Sequence, residues 1–355
     1  MLDFTYDQLP ARVVFGAGVF DKLEAEAARL KLEKVLVLST PGQQQLAGAA
    51  AERLGKRCVG VHAKAVMHVP VEVAEAARVE AGRLGADGAV AIGGGSTIGL
   101  GKAIALEAGL PIIAIPTTYA GSEMTPIYGL TEGGAKKTGR DARVLPKTVI
   151  YDPALTLNLP PAVSGPSGMN AIAHCVEALY AENANPVISL LAEQGIASLS
   201  RSLPRVVRRP DDIEARADAL YGAWLAGIAL GSVGMALHHK LCHTLGGSFN
   251  LPHAETHTIV LPHAVAYNAA AAPDAMARVA RAAGVADAAA GLFDLAASLG
   301  AKTALRDIGM KEADLDLAAE IACRNPYYNP RPISRAAIRA LLDDAFYGRR
   351  PRSIT

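Results

Sequence analysis

Gly88-Ala-Val-Ala-Ile92 runs directly into Gly93-Gly94-Gly95-Ser96-Thr97, so an apolar strand ends in three glycines just before a helical stretch, Ile98 to Glu107. Glycine reaches backbone conformations closed to other residues and lets backbone N–H groups approach a ligand with no Cβ in the way. The N-terminus of the following helix adds partial positive charge, which suits a pyrophosphate. A tight turn with no ligand would use the same residues, so the surroundings must decide.

Outward from this turn, Lys34-Val-Leu-Val-Leu-Ser39, Cys58-Val-Gly-Val-His62 and Pro111-Ile-Ile-Ala-Ile-Pro116 read as further buried strands, and Glu72 to Leu84 as a helix. Strand, helix, strand at this spacing implies right-handed crossovers and a parallel sheet with helices on both faces. That is an α/β, Rossmann-like nucleotide-binding domain, whose ligand crevice lies at the carboxyl ends of the strands. The prediction falls on the residues after Ile92 and after Ile115, where Pro116-Thr-Thr-Tyr-Ala-Gly-Ser-Glu123 adds hydroxyls. Candidate dinucleotide contacts are therefore Gly93, Gly94, Gly95, Ser96, Thr117, Thr118, Ser122 and Thr40. After the first strand, Ser39-Thr40-Pro41 offers no carboxylate to repel a 2′-phosphate, so NADPH is expected alongside NADH.

From Asp152 the character changes. Asp152 to Pro161 (DPALTLNLPP) reads as a hinge, and helices are expected over 168–182, 187–203, 211–229, 232–245, 259–270, 287–299 and 333–346. The expected division is an α/β domain over 1–155 and an all-α domain over 156–355, with the active cleft between the halves. At 355 residues, two hydrophobic cores are the natural arrangement.

Six of the nine histidines lie between His238 and His263. His239 and His243 are four apart and share a helix face. Gly246-Gly247 is expected to end that helix, with His253 in a loop that turns back over it. Upstream, Asn170 and His174 repeat the four-residue spacing. A single buried histidine is usually structural, whereas four polar positions in paired spacing point to a catalytic cluster of Asn170, His174, His239, His243 and His253. His238 points about one hundred degrees away from His239 on a helix. His238, His257 and His263 are therefore left outside the predicted site.

Hydrophobic residues make up 51% and charged residues 19%, which excludes wholesale disorder. Lys+Arg is 35 against Asp+Glu 34, a balance with no electrostatic footprint for nucleic acid or an anionic membrane. No signal-peptide pattern opens the chain, and no run of about 18 apolar residues appears. The four scattered cysteines read as reduced thiols of a cytoplasmic protein.

At these residues the chain resembles the iron-containing alcohol dehydrogenase family along nearly its whole length. The resemblance is carried by PARVVFGAG (10–18), the GGGS turn, PTTYAGSE, YDPALTLNLPP (151–161), GMNAIAHCVEA (168–178) and HHKLCHTLGGSFNLPHA (238–254). It implies a homodimeric NADH- or NADPH-dependent oxidoreductase acting on a small molecule. Within the family the likeness is to a branch that reduces the carbon–carbon double bond of 2-maleylacetate, a small dicarboxylate, to 3-oxoadipate in aromatic-ring degradation. The family's metal ligands, an aspartate and three histidines, fall on Asn170, His174, His239 and His253, and a histidine near the nicotinamide falls on His243. Asn170 departs from the pattern, and the expectation is a site without metal. Gly99 stands where many relatives keep an aspartate, and PTTYAGSE is one residue shorter than usual. A metal-dependent alcohol or aldehyde dehydrogenase, a dehydroquinate synthase-like lyase and a non-catalytic nucleotide-binding protein are the alternatives. Arg324 to Arg331 is a candidate lid or clamp for a dianion, and Lys136 and Lys137 belong either to the nucleotide site or to a solvated hairpin.

Overall fold

The computed structural model describes residues 4–9, 11–133, 135–324 and 327–352. The chain divides into two compact units. One spans Gln8–Asn158; the other comprises the chain from Leu159 onward with residues 4–7. The break therefore lies a few residues beyond the expected boundary at 155, and the first residues group with the helical unit.

In the first unit, β1 (Arg12–Phe15), β2 (Val35–Leu38), β3 (Cys58–His62), β4 (Gly88–Gly93), β5 (Ile112–Pro116) and β8 (Thr148–Tyr151) form one sheet. Its order is β1-β8-β5-β4-β2-β3, and all pairings are parallel. Helices α1 (Leu23–Arg29), α2 (Gln44–Leu54), α3 (Val71–Leu84) and α4 (Gly95–Ala108) supply the crossovers, and β6 (Ile127–Glu132) pairs antiparallel with β7 (Ala135–Arg140). Side-chain alternation assigns the faces. Val35, Val37, Val90 and Ile92 pack with Leu23, Ala27, Ala47 and Ala50 of α1 and α2. Leu36, Leu38 and Ala89 pack with Ala74, Ala77, Leu100 and Ile104 of α3 and α4. From β2 the chain moves outward to β3 and then returns past β2 to β4. The sheet therefore reverses its winding between β2 and β4, where such folds bind ligands. Strands β1 and β8, four residues each, and helices α1 and α2 were not anticipated.

The second unit is helical: α5 (Pro161–Ala178), α6 (Pro186–Arg208), α7 (Ile213–Ser232), α8 (Leu237–Phe249), α9 (His253–Asn268), α10 (Pro273–Ala283), α11 (Ala288–Ser298), α12 (Leu315–Ala322) and α13 (Arg335–Tyr347). Side chains cap several starts: Asn185 Oδ1 accepts from Ile188 N at 3.0 Å, and Asp212 Oδ1 from Ala215 N at 3.0 Å. Small residues let α5, α6 and α7 approach closely. A Cβ added at Gly168 would meet Leu203 at 2.4 Å, and one at Gly195 would meet Cys175 Sγ at 2.7 Å. Fully buried Arg216 ties the start of α5 to α7, donating to Ser164 Oγ and Leu159 O, each at 2.9 Å.

Two sequence expectations are corrected here. Gly246-Gly247 does not end α8, which runs to Phe249 and stops at Asn250 in the left-handed conformation. His253 is not in a loop; it opens α9 directly after Pro252. Among the described residues, no single helix is long and apolar enough to cross a membrane.

Candidate active site

The predicted nucleotide residues lie at the carboxyl ends of β2, β4 and β5. Gly93 has φ +153°, and a Cβ there would sit 2.5 Å from Thr97 Oγ1 and 2.7 Å from Gln43 Oε1. At Gly94 a Cβ would meet Thr118 Cγ2 at 3.0 Å, and at Gly95 it would meet nothing within 4 Å. The turn is thus a bare backbone cradle that flows into α4, a helix of 14 residues. Thr117 N donates to Gly93 O at 3.1 Å, joining the two crevice segments. Buried Thr117 accepts from Gln43 Nε2 at 2.8 Å, and Thr40 Oγ1 lies 3.4 Å from Gln43 Oε1. Thr117 therefore holds the crevice together, while Thr118, Ser96 and Thr40 stay partly open to a ligand. Gln43, the residue that links them, was not anticipated.

Lys102 was also missed. It is 1% exposed on α4, and its Nζ lies 2.6–3.2 Å from Ser122 O and Oγ, Thr125 O and Oγ1, and Ile127 O. Burial brings its pKa down to about 7, with Glu123 opposing. Ser122, expected to face the dinucleotide, is thus engaged by Lys102. Glu123 is buried, accepts from Tyr151 Oη at 2.7 Å, and is raised above the usual carboxylate range by burial. Lys137 pairs with Glu132 on the exposed hairpin; the side chain of Lys136 lies outside the described residues.

In the helical unit, α5, α8 and α9 bring six imidazoles together. His174 stacks on His239 with centroids 5.0 Å apart, and His243 lies 6.2 Å from His239. His253 lies 4.3 Å from His257, which is 5.0 Å from His239 and 4.8 Å from His238. His238 and His257, excluded by the sequence reading, are completely buried inside this cluster, and their Nε2 and Nδ1 atoms bond at 2.9 Å. His257 joins the cluster because His253 starts a helix, which puts His257 one turn along on the same face. His263 stays apart, packed edge-on to Phe293.

The cluster has a buried floor and an accessible rim. His174, His238, His239 and His257 are buried, His253 is half-buried and His243 is exposed. Burial, reinforced by neighbouring imidazoles, drives His174, His238 and His257 well below the ordinary histidine range, so these rings are neutral near pH 7. Glu177, absent from the prediction, underlies the floor. Its Oε1 accepts from His238 N at 2.7 Å, and its Oε2 accepts from Ala236 N at 2.9 Å and from His239 Nδ1 at 2.6 Å. The His239 ring thus turns Nδ1 to the carboxylate and Nε2 away from it. Asn170 Oδ1, His174 Nδ1 and His239 Nε2 are buried without hydrogen-bond partners.

The family model for iron-containing alcohol dehydrogenase matches residues 10–153, and that for the C-terminal part of the Fe-containing alcohol dehydrogenase family matches residues 165–346. The chain belongs to the iron-containing alcohol dehydrogenase family. It is 60% identical over 98% of its length to the maleylacetate reductase of Burkholderia cepacia, covering 99% of that protein. It is 55% identical over 99% of its length to that of Pseudomonas sp. strain P51, all of which it covers. The crystal structure of maleylacetate reductase from Agrobacterium tumefaciens superposes with a TM-score of 0.96 at 54% identity, over 99% of this chain and 100% of that one.

The positions to which the family resemblance assigns metal ligands form an unusual donor set for iron. Asn170, His174, His239 and His253 provide an amide and three imidazoles, and the carboxylate beneath them is occupied by His239 and two backbone N–H groups. Among these four side chains no anionic donor offsets a divalent cation, and ferrous iron stands low in the order of affinity for such sites. Among the described residues, the three side chains whose ligand atoms lie within 4.8 Å of one another are instead His238, Cys242 and His257. There two of those atoms already bond each other, and burial raises the Cys242 thiol well above its ordinary range. The residues present do not fit iron. Asn170 Oδ1 accepts, as does any of these ring nitrogens that lacks a proton, so the unpartnered atoms suit an occupant that donates, such as water.

The second departure from the family also has a physical account. His68 and Val69 adopt left-handed φ values of +66° and +46°, a costly conformation for a β-branched residue. Thr131 clamps both, donating Oγ1 to His68 O at 2.8 Å and N to Val69 O at 3.1 Å. Val69 Cγ2 thereby lies 2.8 Å from where a Cβ of residue 99 would be, so a larger residue at Gly99 forces that valine to shift.

Proposed function

We propose that the chain is an NADH- or NADPH-dependent reductase of 2-maleylacetate, forming 3-oxoadipate without a metal ion. The observation that carries this reading is the ring cluster itself: imidazoles stand around a position where the family's anionic metal ligand is replaced by an amide. Identity of 52–60% to maleylacetate reductases along the whole chain supports the substrate. A homodimer is part of the proposal, by likeness to the family.

Gly93, Gly94, Gly95 and Ser96 would hold the dinucleotide's phosphates at the start of α4, with Thr118 and Thr40 beside them. The bound nicotinamide supplies the hydride. As the carbon β to the ketone accepts it, the electron pair of the double bond moves onto the ketone oxygen, and the enolate then takes a proton at the carbon α to the ketone. His243 and His253 would donate N–H groups to the enolate oxygen and deliver the proton, a role their accessibility supports. His174 and His239 polarise the pocket from below, and Asn170 orients the substrate oxygen. One preorganised donor is worth about 3 kcal/mol of barrier.

The test follows NADH oxidation at 340 nm with maleylacetate, with and without EDTA, for wild type and His243→Ala. Wild type should turn over equally in both conditions, and His243→Ala should lose roughly 100- to 1000-fold in kcat. Loss of activity to chelator, or inertness towards maleylacetate with reduction of simple aldehydes, would overturn the assignment.

A further inference from the structure

A dianionic substrate needs a cation, and the candidates proposed from sequence are committed elsewhere. Arg324 pairs with Glu320 at 2.6 Å on the exposed end of α12. Arg331 donates to Tyr267 O at 3.2 Å and stacks on the Tyr267 ring at 4.3 Å. Asn329 is tied to Asn268 by bonds of 2.7 and 3.1 Å, so this end of the segment is pinned to α9. Asn325 and Pro326 lie outside the described residues.

The three helices that carry the imidazoles contain a single lysine or arginine. It is Lys240, on α8 between His239 and His243. Its ammonium sits 5.5 Å over the ring of Tyr327. Among the described residues no carboxylate comes within ion-pair distance of it. Tyr327 packs against the core cluster formed by α8, α9, α12 and α13, and its hydroxyl is buried without a hydrogen-bond partner. A half-buried ammonium held over an aromatic face loses part of its water, which strengthens its attraction for an anion. Helical spacing places Lys240 one turn before His243, so a group bound at one lies within a small molecule's length of the other.

We infer that Lys240, backed by Tyr327, binds a carboxylate of the substrate and so selects dicarboxylates over neutral enones and aldehydes. This rests on the reductase reading above and assigns its substrate charge to one residue.

The experiment compares wild type, Lys240→Met, Lys240→Arg and Tyr327→Leu with maleylacetate and with a neutral diester of it, alongside thermal denaturation and the KM for NADH. Lys240→Met should raise the KM for maleylacetate about 30-fold, the effect of removing one charge-assisted hydrogen bond. Its KM for NADH and its kinetics with the diester should stay within twofold of wild type, and its melting temperature within about 2 °C. Lys240→Arg should recover most of the loss, and Tyr327→Leu should show a smaller rise confined to the dianion. An unchanged KM for maleylacetate in Lys240→Met, or an equal loss with the diester, overturns the assignment to Lys240. Wild type inert towards maleylacetate would instead overturn the reductase reading itself.

Discussion

The two candidate surfaces are built by opposite means. In the sheet unit the ligand-facing material is mostly backbone, exposed because Gly93, Gly94 and Gly95 lack side chains and because β4 ends where the winding reverses. In the helical unit it is side chain, six rings gathered from three helices over one buried carboxylate. A backbone cradle binds whatever has phosphates; a ring cluster sets which protons move. Binding and chemistry should therefore be separable by mutation.

Beyond His243→Ala, the largest expected effect tests the chemical side. Glu177→Gln removes the charge facing His239 Nδ1, and kcat should fall by about 50-fold, in the range for lost partners of a histidine. The KM for NADH should not move; if it rises in step, the separation fails. Gly93→Ala tests the binding side. It forces a Cβ against Thr97 and Gln43, a strain of roughly 2 kcal/mol, and should raise the KM for NADH by about 20-fold with kcat nearly unchanged. Gly168→Ala pushes into Leu203, and denaturant titration should show a loss of about 1.5 kcal/mol with both kinetic constants preserved.

The smallest effect sharpens the contrast through pH. Burial, opposed only by Asp344, lowers His263 to about 4 from 6.5. Below about 6.5 the unfolded chain takes up a proton that the folded one refuses, so stability falls as pH drops through that window. The melting temperature of His263→Gln should decline less steeply than that of wild type from pH 6.5 to 4. Parallel curves would remove His263 from the balance.

The same contrast explains what could be read from sequence. β2 to β5 were legible because apolar runs and glycine turns repeat along the chain, and the three-glycine bend sits where that repeat puts it. The short β1 and β8 carry too few residues for a pattern; their neighbours in the sheet define them. The ring cluster was half legible. Pairs four apart on one helix show themselves, but His257 became visible only once His253 opened a helix. Glu177 had a signal that went unused, three residues after His174 on the same face. So did Lys102, a lone charge in the otherwise apolar stretch Ile98 to Ala105. The conformation of His68 and Val69 had none, since no propensity announces a left-handed valine.

That valine has a consequence for anyone who would redesign the enzyme. Restoring the family's aspartate at position 99 in one step would wedge a carboxylate into a place already filled, so the single change should damage folding before it could alter coenzyme choice. Trimming residue 69 first opens the niche, and the order of the two steps decides whether the intermediate survives. The bare helix turn and the contorted loop beside it are therefore best redesigned as a pair.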